Sequence, residues 1–169
     1  MIEWILGKIK SITGEYFWIY RLKGNQNRYR KLEVNSFERK LRVLLHEYYC
    51  RKINSYIRID TDISNVFFYH GARNVFIRKN VIFKGKCIIF QNVTIGDKAV
   101  GGPVNDDGIP ISDPGKFTVI GEDVLIGANS VIVGDISIGA GAKIAAGATV
   151  AKDIPAGATV VCKSTVLLS

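Results

Sequence analysis

The sequence predicts a mainly-β protein in which short strands coil around one core, with a short α-helical region in front of the coil. Two observations predict it: apolar residues recur in pairs at a six-residue period from Val75 onward, and the segment 1–56 follows a helical period instead. The chain has 169 residues, of which 47% are hydrophobic and 17 are glycine, so it is long enough for one domain with a buried core.

The change of period divides the chain into three parts. We expect a basic helical N-terminal region over residues 1–56, a β domain over residues 57–160 and a C-terminal tail over residues 161–169. An insertion at residues 100–117 interrupts the β domain.

Two helices are predicted in the N-terminal region, with Gly14 as the candidate end of the first and Ser36 as the candidate N-cap of the second. Residues 24–31 are expected to form an exposed basic turn between them, and His46, which lies off the apolar stripe, is expected to be solvated. The apolar residues at helical spacing are Ile2, Ile5, Leu6, Ile9 and Ile12 in the first helix and Phe37, Leu41, Leu44, Leu45 and Tyr48 in the second.

The β domain is predicted from its six-residue repeat. An α-helix cannot keep this period on one face, because one repeat rotates it by roughly 600°. A coil whose flat sides are short strands satisfies the pattern, with Gly121, Gly127, Gly139 and Gly147 at corners that need a positive φ or a close approach of backbones. The inward pairs are predicted to be Val75/Ile77, Val81/Phe83, Cys87/Ile89, Val93/Ile95, Thr118/Ile120, Val124/Ile126, Ser130/Ile132, Ile136/Ile138, Ala142/Ile144 and Ala148/Val150.

Charge and composition argue against several classes of protein. The net charge of +8 is concentrated in residues 1–60, which contain 13 Lys/Arg and 6 Asp/Glu, but no nucleic-acid motif accompanies it. No window is apolar for the 18 or so residues that a membrane span needs, and the N-terminus lacks a secretory cleavage site. Cys50, Cys87 and Cys162 have neither disulfide nor zinc-ligand spacing, so a cytoplasmic location is expected.

The run VIGEDVLIGANSVIVGDISIGAGAKIAAGATV (119–150), with QNVTIG (91–96), resembles the hexapeptide-repeat acyltransferases. Within them it is most similar to the serine acetyltransferase branch and the related saccharide O-acetyltransferases of polysaccharide gene clusters. The resemblance implies a left-handed parallel β-helix, a homotrimer with active sites in the grooves between subunits, and acetyl-CoA as the donor substrate. Carbonic-anhydrase-like enzymes of this fold bind zinc through three histidines; this chain has two, so no metal is expected.

His70 lies where the six-residue rhythm is broken. Counting back eight positions from Val75 gives Phe67 as the start of the preceding inward pair, so two extra residues are expected just after Tyr69, at His70 and Gly71. The resemblance implies that the catalytic histidine lies in this bulge and acts as general base on the acceptor hydroxyl, a task that imidazole suits. The alternatives are a structural histidine at a turn and a degenerate site.

The chain departs from the family pattern around this histidine. The family has Gly-His-x-Gly where this chain has His70–Arg73, so an ungapped alignment puts Gly71 in the place of the base. An acidic residue precedes the family's histidine where this chain has Tyr69, and a second histidine is replaced by Lys116 and Phe117. These departures weaken serine as the acceptor and favour a saccharide.

The acceptor site is predicted from the insertion and from one coil corner. A regular coil has no structural need for the segment 100–117, so it is expected to be a functional loop. Asp106 and Asp107 are candidate substrate-binding residues in it, with turn-forming aspartates as the alternative. Gln91 matches a glutamine common in the family near the groove, and Asn92 is its neighbour.

The donor site follows from the resemblance. Gly127, Ala128 and Ala146 match the small residues whose backbone holds the pantetheine arm of coenzyme A. Lys143 and Lys163 are candidate contacts for its phosphates, with solvated surface lysines as the alternative.

The basic N-terminal region has two interpretations. Trp4, Phe17, Trp18 and Tyr20 stand beside basic residues and could make a peripheral contact with an anionic membrane. A helical cap over the open end of the coil is the alternative, and the favoured one.

The function predicted from the sequence is an acetyl-CoA-dependent O-acetyltransferase acting on a saccharide hydroxyl in polysaccharide or glycan biosynthesis, with His70 as general base. Serine O-acetyltransferase and a non-catalytic trimeric scaffold are the alternatives.

Overall fold

The computed structural model describes residues 15–34, 36–97 and 115–162. The predicted first helix and most of the insertion, including Asp106 and Asp107, lie outside the described residues, as does Lys163.

Two helices precede a series of short strands in the described part of the chain. The helices are α1 (Glu15–Arg30) and α2 (Phe37–Lys52). The strands are β1 (Tyr56–Ile57), β2 (Val66–Phe68), β3 (Phe76–Ile77), β4 (Val81–Phe83), β5 (Cys87–Ile89), β6 (Thr94–Gly96), β7 (Thr118–Ile120), β8 (Val124–Ile126), β9 (Val131–Val133), β10 (Ser137–Ile138), β11 (Lys143–Ile144), β12 (Thr149–Val150) and β13 (Thr159–Val160).

The strands form three parallel sheets, which are the three sides of a β-helix. The first sheet has the order β1-β3-β6-β9-β12, the second β10-β7-β4 and the third β13-β11-β8-β5-β2. Phe76 pairs with Thr94 and Val131 with Thr149, so one full coil consists of three sides of the six-residue repeat. The insertion lengthens one coil, since Val81 before it pairs directly with Thr118 after it.

The predicted inward pairs from Val75 onward form the core. Every one of these side chains is buried except Phe83, which is partly buried and packs against the same cluster. Cys50 and Cys87 are free buried thiols, and burial raises the pKa of Cys50 to about 11 and that of Cys87 to about 12. Both thiols therefore stay protonated near neutral pH and behave as small apolar groups.

The inward pair predicted just before Val75, Phe67 and Tyr69, is wrong by one residue. Val66 and Phe68 point into the core, whereas Phe67 and Tyr69 are exposed. Val66 pairs with Cys87, and this pairing leaves the intervening coil three residues longer than a regular one, where two extra were predicted. The turn Tyr69–Ala72 accommodates these extra residues before the chain returns to the repeat.

The predicted exposed turn at residues 24–31 is also wrong, since α1 continues to Arg30. Asn25 and Gln26 are 4% and 1% exposed. Gln26 Nε2 donates to Arg58 O at 3.0 Å, and Asn25 Nδ2 donates to Arg42 O at 2.8 Å. These polar residues are thus buried because they bond the carbonyls of neighbouring segments, which composition alone does not reveal.

The second helix begins as predicted, because Ser36 Oγ accepts a hydrogen bond from Arg39 N. Its predicted apolar face, however, is largely exposed: Phe37 is 82% exposed. The buried residues are His46, Tyr49 and Cys50. His46 Nε2 donates to Ile57 O at 2.5 Å, so the prediction of a solvated histidine is wrong.

Both helices pack on the first coil, residues 56–75. α1 contacts the turn Tyr69–Ala72, and Lys23 Nζ donates to Val66 O at 2.6 Å. Burial lowers the pKa of Lys23, and the carboxylate of Asp62 opposes that shift. These contacts support the interpretation of the helical region as a cap on the coil.

Candidate functional site

The candidate site is centred on the turn Tyr69–Ala72, at the corner between β2 and β3. His70, Gly71 and Ala72 have φ values of 62°, 70° and 65°, so three consecutive residues adopt the left-handed conformation. This conformation suits glycine, and histidine adopts it more readily than alanine does. Backbone strain of this kind persists where surrounding structure imposes it and clusters at functional sites.

The surroundings of the turn account for its shape. Ser55 Oγ donates to Ala72 O at 2.5 Å and accepts from Val75 N at 2.7 Å. One hydroxyl thus bonds both the last residue of the turn and the residue just before β3. α1 packs on the same turn, and Gly71 and Ala72 are buried while His70 is exposed.

An aromatic cluster holds the imidazole at the surface. The rings of Tyr69 and Phe90 stack with centroids 4.7 Å apart, and His70 meets Tyr69 edge-on at 5.0 Å. The His70 ring also lies 6.3 Å from that of Phe90. Phe90 was not predicted from the sequence, although it follows β5 in the place that Tyr69 takes after β2, one coil earlier.

The predicted glutamine and small residues stack above this turn at the same corner of successive coils. Asn92 N donates to Arg73 O at 3.0 Å, Asn129 N to Gln91 O at 3.2 Å and Gly147 N to Ala128 O at 2.8 Å. His70, Gln91, Asn92, Gly127, Ala128 and Ala146 are thereby brought to one edge of the β-helix, where sheets one and three meet.

Asn92 also belongs to an asparagine ladder that stabilises this corner. Asn54 donates its side-chain amide to Asn74, Asn74 to Asn92 at 2.9 Å, and Asn92 to Asn129 at 2.9 Å. All four have positive φ values between 49° and 59°. The ladder gives Asn92 a structural role, and its contact with a substrate stays a prediction.

Gln91 keeps a free acceptor at this edge. Its side-chain oxygen is buried and meets no hydrogen-bond donor among the described residues. A buried carbonyl oxygen without a donor is rare in folded proteins, so a bound molecule with a hydroxyl or amide N–H could supply one.

Gly127 is explained by packing between coils. A Cβ atom at this position would lie 2.6 Å from Ala146 N, closer than real Cβ contacts. Gly127 itself is buried by this packing, whereas Ala128 is half-buried and Ala146 is exposed at the same edge.

Lys143 lies on the outer face of the third sheet, not at the corner itself. It pairs with Leu125 of the preceding coil and is exposed. Its ammonium group is free to bind a phosphate or to remain solvated.

A buried arginine fixes the two ends of the insertion. Arg78 is 4% exposed and bonds the carboxylate of Asp97, just before the insertion, and Thr118 Oγ1 at 3.0 Å, just after it. Its guanidinium also bonds Asp135 Oδ1 at 2.7 Å. This cluster was not predicted from the sequence, because its members are 19 to 57 positions away from Arg78.

Within residues 15–34, 36–97 and 115–162, no three His, Cys, Asp or Glu side chains are grouped as a metal site. Over the same residues, no helix has the length and apolar character that crossing a membrane requires.

Comparison with known proteins identifies the repeat and the fold. Residues 117–152 match the family model described as bacterial transferase hexapeptide (six repeats). A 2,3,4,5-tetrahydropyridine-2,6-dicarboxylate N-acetyltransferase of Staphylococcus aureus (strain JH9) is 46% identical over 70 residues, which are 41% of this chain and 27% of that protein.

Two solved structures share the fold over nearly the whole chain. Serine acetyltransferase isoform 3 from Entamoeba histolytica, in complex with cysteine, has a TM-score of 0.70 at 20% identity and covers 94% of this chain and 52% of its own. Serine acetyltransferase from Brucella abortus strain S19, in complex with coenzyme A, has a TM-score of 0.68 at 22% identity. The match covers 90% of this chain and 55% of the Brucella abortus chain.

The chain thus spans less than two thirds of each of these proteins. The predicted resemblance to the hexapeptide-repeat transferases is confirmed, and the fold is a left-handed parallel β-helix.

Proposed function

We propose that this chain, which carries the transferase hexapeptide repeat on a left-handed β-helix, is an acyl-CoA-dependent O-acetyltransferase with His70 as its general base. The observation that carries the proposal is the strained turn that holds an exposed imidazole on the same edge as the small residues of the later coils. Left-handed residues stand singly at the other described corners of the coil, such as Asn92 and Asn129, whereas three stand in succession at His70.

The proposed reaction needs one base and one acyl thioester. The imidazole of His70 takes the proton of the acceptor hydroxyl as that oxygen attacks the thioester carbonyl carbon. A C–O bond forms, the C–S bond breaks, and the departing sulfur of coenzyme A takes the proton back from the imidazolium. The products are the acetyl ester and free coenzyme A, and the base is restored.

The donor is proposed to lie along the corner above His70. Gly127, Ala128 and Ala146 would contact the pantetheine arm, and Lys143 the phosphates, with Lys163 as the second cation. The coenzyme A complex of the Brucella abortus neighbour supports acyl-CoA as the donor.

Two classes of acceptor are considered, serine and a saccharide. Serine acetyltransferases are the structural neighbours, which favours the serine alternative over the saccharide expected from the sequence. One observation favours a saccharide: the exposed ring of Tyr69 lies beside His70 and offers a flat apolar surface to a sugar. Gln91 would accept from the acceptor in either case, with Asp106 and Asp107 as further candidates.

The assembly and location are part of the proposal. A homotrimer would place the His70 edge in a groove between subunits. The cytoplasm remains the expected location, and a peripheral membrane contact remains the less favoured role of the N-terminal region.

The test is turnover of acetyl-CoA with serine and, separately, with a panel of saccharides, measured by release of free thiol. We expect turnover with one acceptor class and a loss of about 100-fold or more in kcat for His70→Asn. Asparagine tolerates the left-handed conformation, so this variant removes the base and keeps the turn.

The matched control is His46→Gln, which changes the chain's other, buried histidine and should leave kcat within a few-fold in the folded protein. Turnover that survives His70→Asn would reject the base assignment. Binding of neither coenzyme A nor any acceptor by the folded wild-type protein would instead favour the non-catalytic scaffold.

A further inference from the structure

A concave site is lined by residues of both α1 and α2. The cavity has a volume of about 170 Å³. Its lining includes Arg21, Arg28 and Arg42, together with Gly24, Asn25 and Tyr49.

The charge of this cavity is one-sided. Three guanidinium groups line it and no carboxylate does. Glu38 pairs with Arg42 at 2.8 Å but is not part of the lining. Arg21 is held in place by Tyr49, to whose hydroxyl it donates at 3.3 Å and over whose ring its guanidinium carbon lies at 5.7 Å.

Two residues of the lining each have a buried polar atom that lacks a partner among the described residues. Arg42 Nε is a donor that finds no acceptor, and Asn25 Oδ1 is an acceptor that finds no donor. Asn25 is 4% exposed, and its amide nitrogen is already fixed by Arg42 O at 2.8 Å. Unpaired buried groups of this kind are costly, so a ligand that supplies both an acceptor and a donor would satisfy them.

Gly24 makes room for such a ligand. It lies in the interior of α1, where glycine stabilises a helix less than alanine does. Its backbone does not require glycine, because a Cβ atom built there meets no atom within 4 Å. Gly24 lines the cavity, so we expect a large side chain at this position to reduce its volume.

We propose that this cavity binds a phosphate group carried by a hydroxyl-bearing molecule, at a site separate from the His70 edge. Guanidinium groups bind phosphate oxygens through paired, charge-assisted hydrogen bonds. A ligand hydroxyl would donate to Asn25 Oδ1. The phosphate belongs either to a free organic phosphate or to a lipid headgroup, and both present the same chemistry.

The test is calorimetric titration of the whole chain with glycerol 3-phosphate, inorganic phosphate and uncharged glycerol. We expect glycerol 3-phosphate to bind more tightly than inorganic phosphate, because it also supplies hydroxyls, and glycerol alone not to bind. Arg28→Gln should weaken glycerol 3-phosphate binding about tenfold or more, which is the loss expected for a charged hydrogen bond. Gly24→Leu should weaken it similarly by filling the cavity, and circular dichroism checks that both variants fold.

Lys40→Gln is the matched control, since it removes one exposed positive charge from α2 outside the cavity. Equal weakening by Lys40→Gln and Arg28→Gln would overturn the proposal in favour of diffuse charge attraction. So would the absence of glycerol 3-phosphate binding at millimolar concentration together with no binding to vesicles.

Vesicles of phosphatidylglycerol and of phosphatidylcholine separate the two sources. Binding to phosphatidylglycerol vesicles that Arg28→Gln abolishes and Lys40→Gln preserves would assign the site to a lipid headgroup. Binding of glycerol 3-phosphate without vesicle binding would assign it to a free organic phosphate. Acetyl transfer by the His70 edge is measured separately, so either proposal can fail alone.

Discussion

His46 shows how a single buried side chain couples stability to pH. Its Nε2 donates to Ile57 O at 2.5 Å, which fixes the neutral tautomer with Nδ1 buried and unpartnered among the described residues. Burial lowers the pKa of His46 below its ordinary value of 6.5. The unfolded chain therefore binds a proton at a higher pH than the folded chain does.

We expect the free energy of unfolding to be at its full value above pH 6.5 and to fall as the pH drops below 6.5 toward the folded-state pKa. One such group limits the slope to about 1.4 kcal/mol per pH unit. Urea unfolding between pH 7.5 and pH 5 measures it. The slope of stability against pH should shrink in His46→Gln and persist in His70→Asn. The reverse pattern would assign the pH dependence to His70 and contradict the prediction.

Substitution of Gly24 is expected to raise the stability of the protein. A Cβ atom there meets nothing within 4 Å, so Gly24→Ala should raise the free energy of unfolding by about 0.5–1 kcal/mol through better helix propensity. The urea midpoint measures the gain. A loss of stability would mean that the helix interior at Gly24 is more crowded than its geometry indicates.

At the level of elements, Arg78 joins segments that are far apart in sequence. Its buried guanidinium bonds Asp97, Thr118 and Asp135 around the base of the insertion. Arg78→Met would remove the buried guanidinium that bonds both carboxylates, and we expect it to cost about 1.5–3 kcal/mol of unfolding free energy, because each carboxylate keeps access to water. Lys79→Met, at the exposed neighbour, should cost little, and adding Asp135→Asn to Arg78→Met should recover part of the loss.

Coil packing makes a second prediction at this scale. A Cβ atom on Gly139 would lie 2.6 Å from Ala156 Cα, with another backbone atom of that coil closer still. Because backbone cannot move aside cheaply, we expect Gly139→Ala to destabilise the fold by about 1–3 kcal/mol. Gly96→Ala is the control, since its nearest contact is an ordinary 3.7 Å to Thr94 Cγ2. Equal thermal midpoints for the two variants would contradict the packing argument.

The elements that the sequence predicted correctly are those whose burial depends on local period. The inward pairs from Val75 to Val150 follow from a six-residue repeat, because each side of the coil buries the same two positions. The buried faces of the helices could not be predicted from a local period. The buried face of α2 is determined by the hydrogen bond of His46 to Ile57 O and by packing against α1, and both contacts join different elements of the fold.

The same distinction explains the candidate site. The break in the repeat located His70. The inward pair directly before it was wrong by one residue, because the left-handed turn absorbs three extra residues instead of two. Phe90 and the Arg78 cluster come into place only when successive coils stack, so no local pattern in the sequence indicates them.

At the scale of the whole molecule, the outer faces of the β-helix carry an apolar row. On the third sheet, Phe67, Ile88 and Leu125 stand in register on successive coils, and the first two are 51% and 39% exposed. Tyr56 and Phe76 stack at 4.8 Å on the outside of the first sheet. These two sheets meet at the edge that carries His70. Contiguous apolar surface beside a candidate site is typical of a subunit interface.

We expect the protein in solution to have three times the 18.7 kDa mass of one chain by light scattering. Ile88→Lys would place a charge in the apolar row and should shift the mass toward one chain, because an unpaired buried charge is expensive. It should also abolish acetyl transfer if the donor groove is shared between subunits. Ile82→Lys, a matched change on the outer face of the second sheet, should leave the mass unchanged. A wild-type mass of one chain would contradict the trimer, and an active Ile88→Lys monomer would show that one chain holds the whole site.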